Sequence, residues 1–157
     1  MNPLRLTVHH DAPDWVIGDC MAVMSVAFDP RFGEAWSASQ ARSIMTMPGT
    51  ALVIGRLGDV PVCFALVRIV LDEAELMLLA VSPDHQRLGF GQLILQHVLE
   101  LLRSDNCARC FLEVRDGNPA KHLYDRIGFV QYSRRQNYYR GKDGEVFDAI
   151  SYSINLI

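Results

Sequence analysis

No hydrophobic run in the 157-residue chain approaches the ~20 residues of a membrane-spanning helix, so a helical membrane protein is not expected. An excess of positive charge is also missing. Fifteen Lys and Arg face 18 Asp and Glu, for a net charge of −3. The chain therefore has neither the basic footprint of a nucleic-acid binder nor a polybasic membrane patch. Its first residues, MNPLRLTVHHDAPD, lack the apolar stretch of a secretory signal, and a cytoplasmic location is the expectation. Only four cysteines occur, Cys20, Cys63, Cys107 and Cys110. Cys107-Ala108-Arg109-Cys110 has zinc or redox spacing, but a second such pair, or a close His pair, is absent. A thioredoxin-like pair opens a helix, whereas this one leads into an apolar strand. Reduced cysteines are expected, and no metal. Repeats, linkers and low-complexity segments are lacking too. What remains is 50% apolar, enough for one core, and a single domain over residues 1–157 is expected.

The chain is organised around residues 78–103, LLAVSPDHQRLGFGQLILQHVLELLR. An apolar run reads as a buried strand over residues 77–81, and Ser82-Pro83-Asp84 turns it. The loop Gln86-Arg87-Leu88-Gly89-Phe90-Gly91 follows, then a helix. Gln92, Gln96, Glu100 and Arg103 mark the polar face of that helix, leaving Ile94, Leu95, Val98, Leu101 and Leu102 for a core. A glycine loop between a strand and a helix N-terminus suits phosphate. Glycine has no Cβ to block approach, and the first turn offers unpaired N–H groups at the positive end of the helix dipole. Arg87 adds a cation. Two phosphate motifs are excluded. A P-loop needs four residues between its glycines and then Lys-Ser/Thr. A dinucleotide fingerprint needs a third glycine, where this chain has Gln92-Leu93-Ile94.

In chain order, residues 4–8 read as an alternating edge strand. Asp11 as cap and Pro13 in the first turn start a helix that runs to about residue 28 and breaks at residues 29–33. Ser37-Ala38-Ser39-Gln40 is a capping box for a short second helix, stopped by Pro48-Gly49. Strands follow at 51–56, 62–71 and 73–81, as a meander. After the central helix come a strand at 108–115 and a helix capped by Asn118, opened by Pro119 and ended by Gly128-Phe129. Two last strands, about 130–138 and 146–155, are joined through Asp143-Gly144. The expected class is mixed α/β, with a mostly antiparallel central sheet and about four helices.

This order, with the Q/R-x-x-G-x-G loop at Gln86–Gly91, resembles the GNAT N-acetyltransferase superfamily over essentially the whole chain. The stretches DEAELMLLAVSPDHQRLGFG, FLEVRDGNPA, LYDRIGF and RRQNYYRGKDGEVFDAISYSI are similar to the ribosomal-protein N-terminal acetyltransferases within it. Residues 32–36 match more loosely, in the region that usually shapes the acceptor site. The resemblance implies acetyl-CoA as co-substrate, with its pyrophosphate on the amides of Arg87, Leu88, Gly89, Phe90, Gly91 and Gln92. Main-chain groups of Leu79, Ala80 and Val81 would pair with the pantetheine where two strands splay at a bulge, and Asn118 would add a contact. A protein N-terminus, ribosomal by the resemblance, is the implied acceptor, near Trp36, Tyr138 and Tyr139. No direct nucleic-acid or membrane partner is implied, and the implied assembly is a monomer or weak dimer.

Glu113 interrupts the apolar run Phe111-Leu112-x-Val114 in a strand expected to be covered on both faces. A buried carboxylate there needs a polar partner, such as Arg115 or a backbone amide, or has a titrating role. The resemblance makes it the general base that frees the acceptor amine. An α-amine, with pKa near ~8, asks less of a base than a lysine near ~10.4. Tyr124 shares a helical face with Ala120, Leu123 and Ile127 and reads by itself as a core aromatic. By resemblance it protonates the leaving thiolate, a task open to a phenol that stays protonated at neutral pH. The spacing Asn118–Tyr124 is one residue shorter than is usual in the family, which predicts a shortened helix start. Strand alternation predicts that Tyr138 and Tyr139 point to opposite faces, with one lining the acceptor groove. Direct transfer in a ternary complex is the leading reading. The alternatives are a GNAT enzyme for a small-molecule amine or a lysine side chain, and a non-catalytic acyl-CoA-binding module.

Overall fold

In the computed structural model, which describes residues 3–157, the chain begins with β1 (Leu4–His9), α1 (Asp14–Ala27), a 3-10 turn (Pro30–Phe32) and α2 (Ala38–Met45). The meander is β2 (Thr50–Leu57), β3 (Val60–Val70) and β4 (Glu73–Val81). A 3-10 turn (Pro83–His85) leads into α3 (Phe90–Ser104), followed by β5 (Arg109–Arg115), α4 (Ala120–Ile127), β6 (Val130–Arg140) and β7 (Val146–Asn155).

One seven-stranded sheet has the order β1-β2-β3-β4-β5-β7-β6. Each neighbouring pair is antiparallel except β4 and β5, which are parallel because α3 carries the chain back across the sheet between them. Strand alternation splits the core into two layers. Val53, Ala65, Leu76 and Leu112 pack on one face with Ile94, Leu95, Val98 and Leu102 of α3 and Tyr124 of α4. Leu52, Ile54, Phe64, Leu66 and Ala80 pack on the other with Val16, Val23 and Met24 of α1 and Met45 of α2. Each buried Val, Leu or Ile contributes roughly 1.5–3 kcal/mol through area removed from water. Asp19 of α1 pairs with the buried Arg56 of β2, whose guanidinium lies 5.5 Å from the Trp15 ring.

The capping box at α2 is present in full. Ser37 Oγ accepts the Gln40 N–H at 3.1 Å and the Gln40 side chain accepts the Ser37 N–H at 2.7 Å. At α1 the expected cap is not formed. Pro13 occupies the N-cap position without a side-chain bond, and Asp11 lies outside the helix. In α3 the face is rotated slightly from expectation. Leu99 is buried and Leu101 only partly so, because α3 packs against β3 and β4 and also against α4, which widens the covered stripe.

Candidate active site

The register of the central strands opens the site. β4 and β5 pair only at Glu73–Arg109, Ala74–Cys110 and Glu75–Phe111, then separate. Across β4, Leu66 pairs with Leu78 but Val67 pairs with Leu76, so Met77 is an extra residue in a bulge. The Ser82 N–H donates to Val62 O at 2.8 Å. Antiparallel alternation then spends the main-chain groups of Ala80 on β3 and turns those of Leu79 and Val81 toward the gap. Of the three expected main-chain contacts, two therefore face the splay. Gln86 Nε2 donates to Val81 O at 3.1 Å, bringing the glycine loop to the gap.

That loop wraps the start of α3. Arg87 and Gly89 have positive φ values of +63° and +83°, and Gly89 is the N-cap. The first helical bond runs from the Leu93 N–H to Gly89 O at 3.0 Å, which leaves the amides of Phe90, Gly91 and Gln92 without intrahelical partners. A Cβ at Gly91 would lie 3.2 Å from Leu123 Cδ2 and 3.7 Å from Val81 Cγ2, so α3, α4 and β4 meet there. At Gly89 the space is open, and glycine is favoured by the left-handed backbone. Arg87 and Leu88 are exposed beside these amides.

On α4, Asn118 Oδ1 accepts the Ala120 N–H at 2.9 Å, so its oxygen is committed to starting the eight-residue helix. Tyr124 is 6% exposed, with its ring 5.7 Å from Phe129 and 6.3 Å from Tyr152. Burial pushes its hydroxyl well above the ordinary tyrosine range, with smaller contributions from Cys110 and Glu34.

Glu113 departs from expectation. β5 is covered on one face, by Cys110, Leu112 and Val114, whereas Phe111 and Glu113 are half-buried on the other. The carboxylate is reached by solvent and lines a cleft of about 830 Å³. Its partner is not Arg115. The Tyr139 hydroxyl donates to Glu113 Oε1 at 3.5 Å, and Arg135 Nε lies 3.8 Å from Oε2. Burial, then Glu113, raise the Tyr139 hydroxyl above its usual range.

Tyr138 and Tyr139 do not alternate across the strand. The β6–β7 register shifts between Arg135 and Tyr139, with Asn137 at φ +53°. The bulge puts both rings beside Glu113, 5.2 Å apart and edge to face, with Tyr138 lining the cleft. Trp36 is elsewhere. It packs against the core layer under α1 and α2 and is not among the cleft-lining residues.

Sequence reasoning passes over Glu34 and offers Arg115 only as a possible partner of Glu113. Arg115 Nε donates to Glu34 Oε1 at 3.3 Å, and the guanidinium lies 3.5 Å from the Phe32 ring centre and 5.3 Å from that of Phe147. Nothing in the separation of residues 34 and 115 along the chain signals this pair. Arg31 adds a two-pronged ion pair to Glu145 at 3.0 and 3.1 Å, joining the segment after α1 to the β6–β7 hairpin. Burial pushes the thiols of Cys20, Cys63 and Cys110 up to about 12, so none of them supplies a thiolate nucleophile at neutral pH.

The profile of the acetyltransferase (GNAT) family matches residues 19–129, which includes the splay, the glycine loop, Glu113 and Tyr124. The chain belongs to the GNAT family. Among curated GNAT relatives, the [ribosomal protein bS18]-alanine N-acetyltransferase (RimI) of Escherichia coli is 44% identical over 82 residues, 52% of this chain and 55% of the relative. The enzyme of the same name from Haemophilus influenzae is 41% identical over 81 residues, 52% of this chain and 56% of the relative. The chain spans about half the length of the curated relatives it matches. In three dimensions the agreement extends further. The crystal structure of the Escherichia coli ribosomal-protein-S18-alanine N-acetyltransferase superposes with a TM-score of 0.83 at 29% identity, covering 97% of this chain and 94% of that one. The GNAT fold is shared with more distant proteins, such as yncA of Salmonella typhimurium, solved with its cofactor acetyl-CoA, at 16% identity and TM-score 0.74 over 98% of this chain and 95% of that one.

Proposed function

We propose that this GNAT protein transfers the acetyl group of acetyl-CoA to the N-terminal α-amine of a protein, with a ribosomal protein bearing a small first residue as the favoured acceptor. The observation that carries the reading is the opening between β4 and β5, which has main-chain groups not spent on a neighbouring strand along one wall and an accessible carboxylate, Glu113, on the other. The name shared by the matched relatives, bS18-alanine N-acetyltransferase, supports the acceptor class.

The residues present fit acetyl-CoA. The free amides of Phe90, Gly91 and Gln92 suit the pyrophosphate, and the main-chain groups of Leu79 and Val81 suit the amides of the pantetheine arm. Bound there, acetyl-CoA supplies an activated acyl group as a thioester. Glu113 accepts a proton from the incoming ammonium, directly or through one water, so that a neutral amine attacks. The Tyr139 hydroxyl, hydrogen-bonded to Oε1, orients that carboxylate. Tyr124, protonated at any physiological pH, gives its proton to the departing sulfur. No acyl-enzyme is needed, since the buried thiols stay protonated.

A second reading, transfer to a lysine side chain or a polyamine, draws on Asp72, Glu73 and Glu75, acidic groups of the cleft that runs from Glu113 toward the paired ends of β4 and β5. Mass spectrometry of acetylation over free N-terminal peptides, an α-blocked lysine peptide and spermidine separates the two. The first reading requires a free small-residue N-terminus to be modified fastest. Rapid modification of the blocked peptide or of spermidine, with none of the free N-terminus, would overturn it.

A further inference from the structure

Glu113 is not the sole carboxylate that the fold brings to the acceptor side of the splay. Glu34 follows Gly33, whose φ of +63° turns the chain back after the 3-10 turn at Pro30–Phe32. It meets Arg115, which stands two residues beyond Glu113 on β5 and so projects from the same face of the strand, about 7 Å farther along.

The arginine is held from several directions. Its side chain is 7% exposed, it lies over the Phe32 ring at 3.5 Å, and its NH1 donates to Asp116 O at 3.3 Å. An arginine so fixed presents its Nε in one place, and Glu34 Oε1 is bound there at 3.3 Å. The other oxygen of Glu34 accepts no hydrogen bond among the described residues, and the side chain keeps 19% of its surface open. Charge from Glu34 also reaches the hydroxyls of both Tyr124 and Tyr139, the two tyrosines on either side of the proposed reaction centre. The salt bridge therefore does more than pin a loop, since it leaves an oriented, partly desolvated oxygen on the face of β5 from which Glu113 projects.

We propose that Glu34, braced by Arg115, is the acceptor-positioning carboxylate: its free oxygen receives the protonated primary amine and aligns it with Glu113. The inference rests on the N-acetyltransferase reading and divides the labour between two carboxylates. Most of an α-amine with pKa near ~8 reaches the site as ammonium at neutral pH. Glu34 holds that cation, and Glu113, which faces the Tyr139 hydroxyl and the exposed Arg135 guanidinium, takes its proton. A primary ammonium with three N–H donors can meet both carboxylates at once, and it carries the positive charge that an uncharged amine lacks.

The test is steady-state kinetics of Glu34→Gln with a free N-terminal peptide and with the same peptide carrying an N-terminal aminooxy group, which is uncharged at neutral pH. The glutamine oxygen still accepts the Arg115 bond, so the variant should fold, with a melting temperature lowered by loss of the counter-charge to the buried guanidinium. Loss of one charged hydrogen bond should raise KM for the ammonium peptide about 10- to 100-fold, with kcat changed by less than about threefold. KM for the aminooxy peptide and the affinity for CoA should stay unchanged. An unchanged KM for the ammonium peptide, an equal rise for both peptides, or a loss confined to kcat would overturn the proposal. Should the wild-type enzyme favour another primary amine, the same comparison on that amine decides the role of Glu34, and only the N-terminal reading is lost.

Discussion

Asp148 on β7 accepts the backbone N–H of Asn137 on β6 at 3.0 Å through Oδ1, while its Oδ2 accepts from Arg134 at 2.7 Å. The first bond closes over the residues that the register shift leaves unpaired, and so secures the bulge that brings Tyr138 and Tyr139 together beside Glu113. The aspartate acts on the site through the backbone.

The Asn137 N–H, then Arg134, hold the Asp148 carboxyl below its ordinary value of 3.8. A group lowered in the folded protein contributes above its unfolded pKa and loses that contribution as pH falls through the folded one. The Asn137 amide signal should therefore stay constant from neutral pH down to about 4 and move only below that. A midpoint above about pH 4.5 in an NMR titration would contradict this. Asp148→Ala should lower turnover while leaving CoA affinity unchanged.

Glu113→Gln preserves shape and the hydrogen bond from Tyr139 but removes the base. Turnover should fall by roughly 10²-fold or more, with CoA affinity little changed. The deficit should narrow as pH rises toward the pKa of the acceptor amine, which then loses its proton unaided. A deficit independent of pH would reassign Glu113 to structure or acceptor binding.

Tyr124→Phe should cost about 10²-fold or more in kcat without weakening acetyl-CoA binding. Because burial raises the hydroxyl of Tyr124 well above the ordinary tyrosine range, the acid form persists as pH rises, and wild-type kcat should hold through about pH 10. A decline with a midpoint below about pH 9 that disappears in Tyr124→Phe would show a far more acidic phenol and contradict the assignment.

Tyr152 is 1% exposed, and its buried hydroxyl has no hydrogen-bond partner among the described residues. Such a group carries a desolvation penalty of about 1–3 kcal/mol, so Tyr152→Phe should leave stability unchanged or raise it by up to ~1 kcal/mol. Denaturant unfolding measures this. A loss beyond ~1 kcal/mol would reveal a partner, such as an ordered water.

Gly89→Val sets a branched side chain at φ +83°, in space that is otherwise open. The backbone should cost about 1–3 kcal/mol, leaving a folded protein. The new side chain would stand where the pyrophosphate must approach the free amides of α3, and CoA affinity should be lost. Unchanged affinity by calorimetry would remove the loop from the cofactor site.

Features that depend on a few neighbouring residues are legible in the amino-acid sequence itself. The capping box at Ser37, the glycine turn that opens α3, the turn at Gly144 and the glycine that ends α4 each rest on backbone sterics or on a hydrogen bond within four residues. Together they set the order of elements, and that order carries the family resemblance.

Tertiary structure decided the rest, for reasons local chemistry does not contain. Whether β5 is covered on one face or two depends on where α1 and α2 end, and the gap they leave exposes Glu113. The common orientation of Tyr138 and Tyr139 comes from a bulge held by a residue on the neighbouring strand. Pairing across a sheet, set by register, selects Leu79 and Val81 rather than Ala80 to face the splay. Glu34 and Arg115 are 81 residues apart, and only the packing of the segment after α1 against the β6–β7 hairpin makes them neighbours. Sequence by itself determined which chemical groups the protein owns and the elements that carry them; the closing of the sheet determined which groups share a site, because contacts between distant segments are set by packing of the whole core.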